Sequence, residues 1–292
     1  MYLHACHSLL HDIRDQHPDL KSAIATLSPL KINRIDRYIQ LCLAGGLHCM
    51  HGQESQRLTH LVLATGSGMV STVATLMEAL YRDHHAPKPL QFIRSLANSA
   101  CYHLARVLDS TAPSIALAQE HFSFEAALDY ALVQPAIPGT PSYLLVGGVD
   151  EAPLPIAQHL TRLGATRKYQ SLTEGSHWLL LANEPRPGTT LQVRIGHPDY
   201  LSAAAFAHYC DERLPPDCPI LLNDAELAPT LGPRSQPLLR PSSQCCPHRT
   251  YSGHNMVLAA QLLMQGQHAR AVVISRGNHD AYCVTTLWRA LA

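Results

Sequence analysis

The side chains in this sequence that are best able to bind a metal ion are cysteines and histidines lying close together. Cys245, Cys246 and His248 fall within four residues of one another. Two adjacent cysteines do not easily bind the same ion in tetrahedral geometry, and no second pair follows at ligand spacing. His7 and His11 are four residues apart, but the glutamate of a zinc hydrolase motif is missing between them. We expect the first group to be a surface loop, the two histidines to be exposed on one face of a helix, and no metal site.

A nucleophilic cysteine or serine is the second kind of chemistry that the sequence could carry. Cys101 lies in an apolar helical stretch, where a free cysteine most often packs as a small hydrophobic residue. The segment Gly66-Ser67-Gly68 lacks the Gly-x-Ser-x-Gly spacing of a nucleophile elbow, and it predicts a turn. Neither position is expected to supply a nucleophile.

Composition limits the class of protein. The chain has 292 residues, of which 46% are hydrophobic and 15% charged, so it is expected to fold around a large core. Its 22 basic and 22 acidic residues balance, which argues against a nucleic-acid partner. The nine cysteines contain no C-x-x-C pair, and the start has no signal-peptide pattern, so we expect reduced thiols in the cytoplasm. No apolar stretch is long enough to span a membrane.

The elements that must position these residues alternate between helices and short apolar strands. Isoleucine and leucine recur every four residues from Arg34 to Met50, which predicts a helix. Continuous apolar runs such as Tyr143-Leu-Leu-Val146 are typical of parallel strands covered on both faces. The pattern therefore predicts a layered α/β fold. We expect further helices at 69–81, 95–108 and 123–133, further strands at 59–65, 114–118, 178–182, 191–195, 219–222 and 271–274, and surface loops at 183–188 and 227–247.

Several segments resemble the β-ketoacyl synthases of the thiolase superfamily. Ser114-Ile-Ala-Leu-Ala-Gln119 is similar to the strand-to-elbow signature of this family, in which the last position is the cysteine that accepts the acyl group. Here that position is Gln119. Residues 143–151 resemble the family's strand that ends in Gly-Gly-x-Asp/Glu, and residues 92–100 resemble the segment before a helix at the subunit interface.

The C-terminal part both keeps and loses family features. Arg249-Thr-Tyr-Ser-Gly-His254 is similar to a family block with a lysine and an active-site histidine, and Arg249 replaces the lysine with a planar guanidinium. The second family histidine belongs to a His-Gly-Thr block, which is missing here; Asn223 lies near the corresponding place. Of the family's glycine-rich last loop, only Gly277 and Asn278 correspond.

The resemblance implies a five-layer α/β/α/β/α fold of two related halves, which we place at residues 1–165 and 166–292. Because an amide cannot form a thioester, it also implies a subunit without catalytic residues, similar to a chain length factor. Such a subunit forms a heterodimer with an active ketosynthase that elongates chains on an acyl carrier protein in polyketide, aryl polyene or fatty-acid-type synthesis. No cofactor is implied.

Three alternatives stay open at this point. Glutamine also replaces the cysteine in malonyl-carrier-protein decarboxylases that supply starter units, although these need the imidazoles that stabilise an enolate. The chain could also be a folded remnant that only stabilises another protein. At the level of single residues, the segment ending in Gln119 could be a buried strand with a chance similarity, and His254 could simply cap a helix.

Overall fold

The computed structural model describes residues 1–28, 35–86, 88–135, 142–232 and 238–291. A first group of five strands has the order β3-β2-β4-β5-β1. The strands β2, β3 and β4 are parallel, whereas β5 runs antiparallel to both β4 and β1. These strands are β1 (Tyr2–Ile13), β2 (Leu58–Ala64), β3 (Ser114–Leu117), β4 (Tyr143–Asp150) and β5 (Ser171–Ala182).

A second group repeats this arrangement in the order β9-β8-β11-β12-β6, again with three parallel strands followed by two antiparallel ones. The two groups join where Tyr2 of β1 pairs with Arg194 of β6. The short strands β7 and β10 pair with β12 and β5. The strands are β6 (Leu191–Ile195), β7 (Asp199–Leu201), β8 (Ile220–Leu222), β9 (Leu238–Leu239), β10 (Cys245–Cys246), β11 (Arg270–Arg276) and β12 (Tyr282–Leu291).

The helices lie between and outside these two groups of strands. The described helices are α1 (Lys21–Leu27), α2 (Arg37–Met50), α3 (Val70–Tyr81), α4 (Pro89–Arg94), α5 (Asn98–Val107), α6 (Ser123–Leu132), α7 (Ile156–Arg162), α8 (Ala203–Glu212) and α9 (Tyr251–Met264). Short 3-10 turns occupy Ser55–Arg57, Glu120–Phe122, Ala225–Leu231 and Asn278–Asp280. Within the described ranges, every helix is too short or too polar to cross a lipid bilayer.

The buried side chains divide into layers because successive residues of a strand point to opposite faces. In β2, Leu61 and Leu63 pack against α2 and α5 on the outer face. Val62 and Ala64 of the same strand face a central cluster made with α6 and α9, and this cluster also contains Val273 and Leu287 of the second group. A third cluster packs α8 on the far face of β8 and β11. The layers are therefore helix, sheet, helix, sheet and helix, as the resemblance implied.

Two of the expected elements differ in the structure. The prediction of a helix at His7 and His11 was wrong, because residues 2–13 form β1, and both side chains are half-buried. A four-residue spacing puts two side chains on one face of a strand as well as of a helix, so it could not separate the two. The expected helix at 95–108 begins at Asn98, after the separate helix α4. The expected start of α2 at Arg34 lies outside the described residues.

The loop predictions also need correction. Residues 227–247 contain part of a 3-10 turn and the strands β9 and β10. Cys245 is 4% exposed in β10, so this position is not the surface loop that the sequence indicated. The pairing of Cys245 with Ser171 of β5 buries it, and a two-residue strand is too short to leave a periodic pattern.

Gly147 of β4 is needed because Trp178 lies directly opposite it on β5. The indole of Trp178 is fully buried and donates a hydrogen bond to Ser176 Oγ at 2.8 Å. A methyl group on Gly147 would come within 2.3 Å of the ring atom Cε3. The ring cannot move aside without giving up its hydrogen bond and its packing.

We therefore expect Gly147→Ala to lower the free energy of unfolding by about 3 kcal/mol, the upper end of the range for overpacked cores. Urea denaturation followed by circular dichroism measures this change. The double variant Gly147→Ala with Trp178→Leu is the matched control and should lose less stability than the sum of the two single variants. Additive losses would mean that the two residues do not meet.

Candidate functional site

A cavity of about 1380 Å³ lies at the carboxyl ends of the parallel strands of both groups. Residues directly after β2, β3, β4 and β8, together with the end of β11 and the loop after it, line this cavity, because parallel strands bring the loops that follow them to one edge of a sheet. The lining combines apolar surface with many charged side chains. Its carboxylates are Glu120, Asp150, Glu151, Asp224, Glu226 and Asp280, and its cations are Lys168, Arg240, Arg249 and Arg276.

The carboxylate of Asp150 holds together three segments that border the cavity. One oxygen accepts hydrogen bonds from Thr65 Oγ1 at 2.9 Å and from the backbone N–H groups of Gly66 and Ser67, both at 3.0 Å. The other oxygen accepts from the Thr250 N–H at 2.9 Å. Asp150 is 1% exposed, and this burial raises its pKa, an effect that the hydrogen bonds oppose. The end of β2, the end of β4 and the start of α9 therefore meet at one side chain.

Close packing requires a glycine at Gly148, two residues before Asp150. A methyl group on Gly148 would lie 2.6 Å from the Phe124 ring of α6 and 3.0 Å from Cβ of Thr250. Without the glycine, Thr250 could not come close enough to donate to Asp150. The Gly-Gly-x-Asp pattern in the sequence thus corresponds to a real packing constraint.

Glu151 is a lining residue whose charge depends on pH near neutrality. Its side chain is buried and accepts a hydrogen bond from the Ser71 N–H at 2.7 Å, in the first turn of α3. Burial raises the pKa of Glu151 to about 7. A carboxyl group with this pKa can both donate and accept a proton in the cavity at physiological pH.

The elbow between β3 and α6 carries the position that the sequence associates with acylation. Gln119 is exposed there, and its backbone N–H donates to Ser123 Oγ at 2.8 Å. The next residue, Glu120, has a φ of 47°, a left-handed conformation that is uncommon for residues other than glycine. Glu120 and His121 line the cavity, whereas Gln119 is not among the lining residues. The assignment of Gln119 to the nucleophile position stays a prediction.

Arg249, at the position of the family lysine in the sequence comparison, lines the cavity. Its guanidinium donates to the His121 ring, and no carboxylate of the described residues lies within salt-bridge distance of it. Burial, and then the charge of Arg249, lower the pKa of His121 to about 4, so that this ring is neutral. Across the cavity, Asn278 Nδ2 donates to Glu120 at 2.8 Å, which connects the elbow to the last loop.

Asn223 also lines the cavity but is used structurally. Its Oδ1 accepts from the Arg276 N–H at 2.8 Å, and its Nδ2 donates to the Arg276 carbonyl at 3.3 Å. Both polar atoms of the amide are therefore occupied in joining the ends of β8 and β11. Gly277, the next residue, packs against the ring of Phe122.

His254 is not a cavity residue. It lies in a buried cluster with Ser8, His177 and His248, where its Nδ1 is 2.8 Å from Ser8 Oγ. The structure thus separates the two positions, Arg249 and His254, that the sequence placed in one block. Sequence reasoning missed Ser8 and His177 as members of this cluster, because nothing marks them until β1 is known to pair with β5.

The remaining candidates are structural residues or have no metal-binding geometry. Cys101 is buried in α5, and burial raises the pKa of its thiol to about 12. Cys245 Sγ lies 3.4 Å from Asp12 Oδ1, and Cys246 borders the cavity. In the described ranges, no three His, Cys, Asp or Glu side chains are grouped so as to hold a metal ion.

Comparison with known proteins gives a consistent answer for the fold. No family model and no curated protein matches the sequence. Among solved structures, the ishigamide ketosynthase/chain length factor aligns with a TM-score of 0.65 and 18% identity over 87% of this chain and 81% of that one. The chain has the thiolase-like fold of ketosynthases and chain length factors.

Two further structures with this thiolase-like fold cover nearly the whole chain. A complex of a type II polyketide acyl-carrier protein with its ketosynthase, AntDE:AntF, aligns with a TM-score of 0.64 and 11% identity over 98% of both chains. The ketosynthase ApeO in complex with its chain length factor ApeC from Xenorhabdus doucetiae aligns with a TM-score of 0.52 and 12% identity, over 98% of this chain and 99% of that one. In the thiolase-like fold described here, the carboxyl ends of both strand groups form the polar cavity.

The role of Asp150 can be tested with an isosteric change. Asp150→Asn should lower the free energy of unfolding by about 3 kcal/mol, because its amide N–H₂ would face at least one of the four donors and leave it unpaired in the interior. Chemical denaturation measures the loss. Asp129→Asn is the control, since that carboxylate is 42% exposed and pairs only with His197, and it should change stability by less than about 1 kcal/mol. Equal effects in the two variants would contradict the role given to Asp150.

The buried histidines predict acid sensitivity. Burial lowers the pKa of His248 to about 3, that of His254 to about 4 and that of His177 well below its usual value. The unfolded chain takes up these protons near pH 6.5, so stability is complete above that pH and is lost as the pH falls below it. Each ring contributes up to about 1.4 kcal/mol per pH unit to the slope of the unfolding free energy with pH. The raised pKa of Glu151 contributes a slope of opposite sign, which offsets the contribution of one ring.

Because the unfolded histidines are already half-protonated at pH 6.5 and Glu151 titrates near pH 7, urea denaturation is best compared at pH 8.5, 7.5 and 5.5. The free energy of unfolding should be nearly constant between the first two values and should decrease clearly at the third. His248→Asn should flatten the decrease by the contribution of one ring. A free energy that stays constant to pH 5.5 would mean that these rings are not buried in the neutral form.

Proposed function

We propose that this chain is a non-catalytic subunit, similar to a chain length factor, that pairs with an active β-ketoacyl synthase. The observation that carries the proposal is the elbow after β3, where Gln119, Glu120 and His121 follow one another without a thiol. Condensation requires a thiolate that holds the acyl chain while the extender unit arrives. The partner then supplies this thiolate, and chain elongation takes place on an acyl carrier protein.

The cysteine that borders the cavity does not replace the missing thiol. Cys246 lies on β10, and its Sγ is 3.8 Å from the Pro247 carbonyl. Burial raises its pKa in spite of the nearby charges of Arg249 and Lys168. A thiol with a raised pKa is mostly protonated at neutral pH and is a weak nucleophile.

A partner-binding surface on the first strand group supports the proposal. β3 is the edge strand, paired with β2 on one side, and its residues are half-buried or exposed. α5 packs beside β3, and exposed apolar side chains continue over α3, α4 and α5. We propose that these side chains form a patch that a partner covers, since exposed apolar patches and open strand edges both mark interaction sites. The patch contains Met77, Leu80, Leu90, Phe92, Ile93 and Tyr102, which are 41% to 63% exposed.

The structural neighbours of this chain support a choice of product class. Ketosynthase and chain length factor pairs are the structural neighbours, and one of them contains an acyl carrier protein. We therefore propose polyketide or aryl polyene synthesis, or fatty-acid-type elongation, in the cytoplasm. The first strand group includes β5 and therefore extends to residue 182, and the division into halves at residues 1–165 and 166–292 stays part of this proposal.

The decarboxylase alternative has less support. A decarboxylase needs polarised donors beside the thioester to stabilise the enolate. His254, the histidine kept from the family block, has its Nδ1 engaged with Ser8 and lies outside the cavity. Acetyl product from malonyl-carrier protein, formed by the purified chain without a partner, would favour the alternative over the proposal.

Binding to a ketosynthase tests the proposed surface. In size-exclusion chromatography with a co-expressed cognate ketosynthase, the chain should elute as a heterodimer. Phe92→Asp and Tyr102→Asp should weaken this association about tenfold or more, because a buried carboxylate opposes an apolar interface. Both side chains are at least 60% exposed, so the fold should be unaffected by the changes.

Met264→Asp is the control for these variants. The Met264 side chain is 45% exposed at the end of α9, outside the proposed surface. The affinity of this variant for the ketosynthase should therefore equal that of the wild type. A chain that stays monomeric in the presence of the ketosynthase would contradict the proposed function. Equal affinities for all three variants would contradict the proposed surface.

A further inference from the structure

Five polar side chains form a continuous hydrogen-bonded chain from the cavity into the protein. Thr173 Oγ1 lies 2.7 Å from His248 Nδ1, and His248 Nε2 lies 2.8 Å from His177 Nε2. His177 Nδ1 is 2.8 Å from Ser8 Oγ, and Ser8 Oγ is 2.8 Å from His254 Nδ1. Each link is within hydrogen-bond distance.

The contact between His177 and His248 has the geometry of an N–H···N bond. The ring planes are 19° apart, and the centroids are 5.0 Å apart. The separation of the two Nε2 atoms plus the radius of each ring accounts for this centroid distance. The two imidazoles therefore meet edge to edge and nearly in one plane, which aligns the proton of one ring with the lone pair of the other.

The chain can be hydrogen-bonded completely in two ways with every ring neutral. In one arrangement, Thr173 donates to His248, His248 to His177, His177 to Ser8, and Ser8 to His254. In the other, every donor and acceptor is reversed, and Thr173 donates to the Cys246 carbonyl, which lies 3.4 Å away. A neutral imidazole has one donor and one acceptor nitrogen, so changing from the first arrangement to the second moves one proton along each link, while Thr173 takes up one proton from the cavity and His254 releases one from Nε2.

One additional proton is also compatible with all these bonds. With His177 protonated, its two N–H groups donate to Ser8 and to His248, and His248 then donates to Thr173. A second proton on His248 would place two N–H groups against each other across 2.8 Å and break the central bond. The chain can therefore carry an excess proton on His177 without losing a bond, but it cannot carry protons on His177 and His248 together.

The two ends of the chain lie in different places. Thr173 and His248 border the cavity, whereas His254 does not and is partly exposed. His177 is fully buried between them. The titratable groups that face the three rings from neighbouring elements are His7 of β1, Glu174 of β5 and Tyr251 of α9. No carboxylate of the described residues forms an ion pair with these rings, so a proton is not trapped on one of them.

We infer that Thr173, His248, His177, Ser8 and His254 form a proton relay between the cavity and the exposed edge of His254. The relay exchanges a proton with an oxygen-containing group bound beside the Thr173 hydroxyl. The inference goes beyond the proposed function and does not depend on it, since the hydrogen-bonded chain lies entirely within this subunit.

Nuclear magnetic resonance of the full-length chain with ¹⁵N-labelled histidine tests the relay. At pH 7, the relay predicts that His177, His248 and His254 each show ¹⁵N shifts averaged between the two tautomers, and that the three change together with temperature. Ser8→Ala removes the hydroxyl that connects His177 to His254. In that variant, the shifts of His254 should become those of a single tautomer and no longer follow the other two rings.

Ser252→Ala is the matched control, because it removes a buried hydroxyl from α9 that lies outside the chain. It should leave the coupled behaviour of the three rings intact. A wild-type protein in which each ring holds one fixed tautomer would overturn the inference, whether or not Ser8→Ala folds. The inference would also be overturned if His254 had identical ¹⁵N shifts in the wild type and in Ser8→Ala.

Discussion

The carboxylate of Asp150 is the interaction on which the arrangement of the cavity depends. Four donors converge on it from two separate segments, the turn after β2 and the residue before α9. A buried carboxylate loses several kcal/mol of hydration, which only a complete set of donors offsets. The turn after β2 and the first residue before α9 must therefore be in place together. Arg249 and His248 directly precede Thr250, so their positions in the cavity wall follow from the same contact.

Ion pairs hold part of the charged lining of this cavity in place. Six carboxylates and four cations border it, and Arg276 pairs with three of those acids. The same walls also carry apolar side chains, among them Leu163, Ala165 and Leu172.

The sequence was informative wherever a local pattern and a packing constraint coincide. The apolar run at 143–146 and the two glycines after it predicted β4. The structure gives the reason for the glycines, since Gly147 faces the Trp178 indole and Gly148 faces the Phe124 ring. The order of strands and helices was enough to infer the layers, since parallel strands buried on both faces are continuously apolar.

Other parts of the site could not be predicted because they depend on contacts distant in sequence. Ser8 meets His177 only through the register of β1 with β5, and β1 itself has half-buried positions on both faces, which hide its period. The left-handed conformation of Glu120 could not be predicted from its residue type. His254 turns toward β1 instead of the cavity because Ser8 and His177 offer it partners there.

Intact-mass spectrometry during turnover tests the central claim most directly. The chain would be incubated with its ketosynthase, acyl carrier protein and extender units, quenched with acid and weighed together with its partner. A non-catalytic subunit keeps its unmodified mass at every time point, while the ketosynthase gains the mass of the acyl chain. An acyl group attached to any side chain of this polypeptide would contradict the claim that the elbow at Gln119 has lost its covalent chemistry.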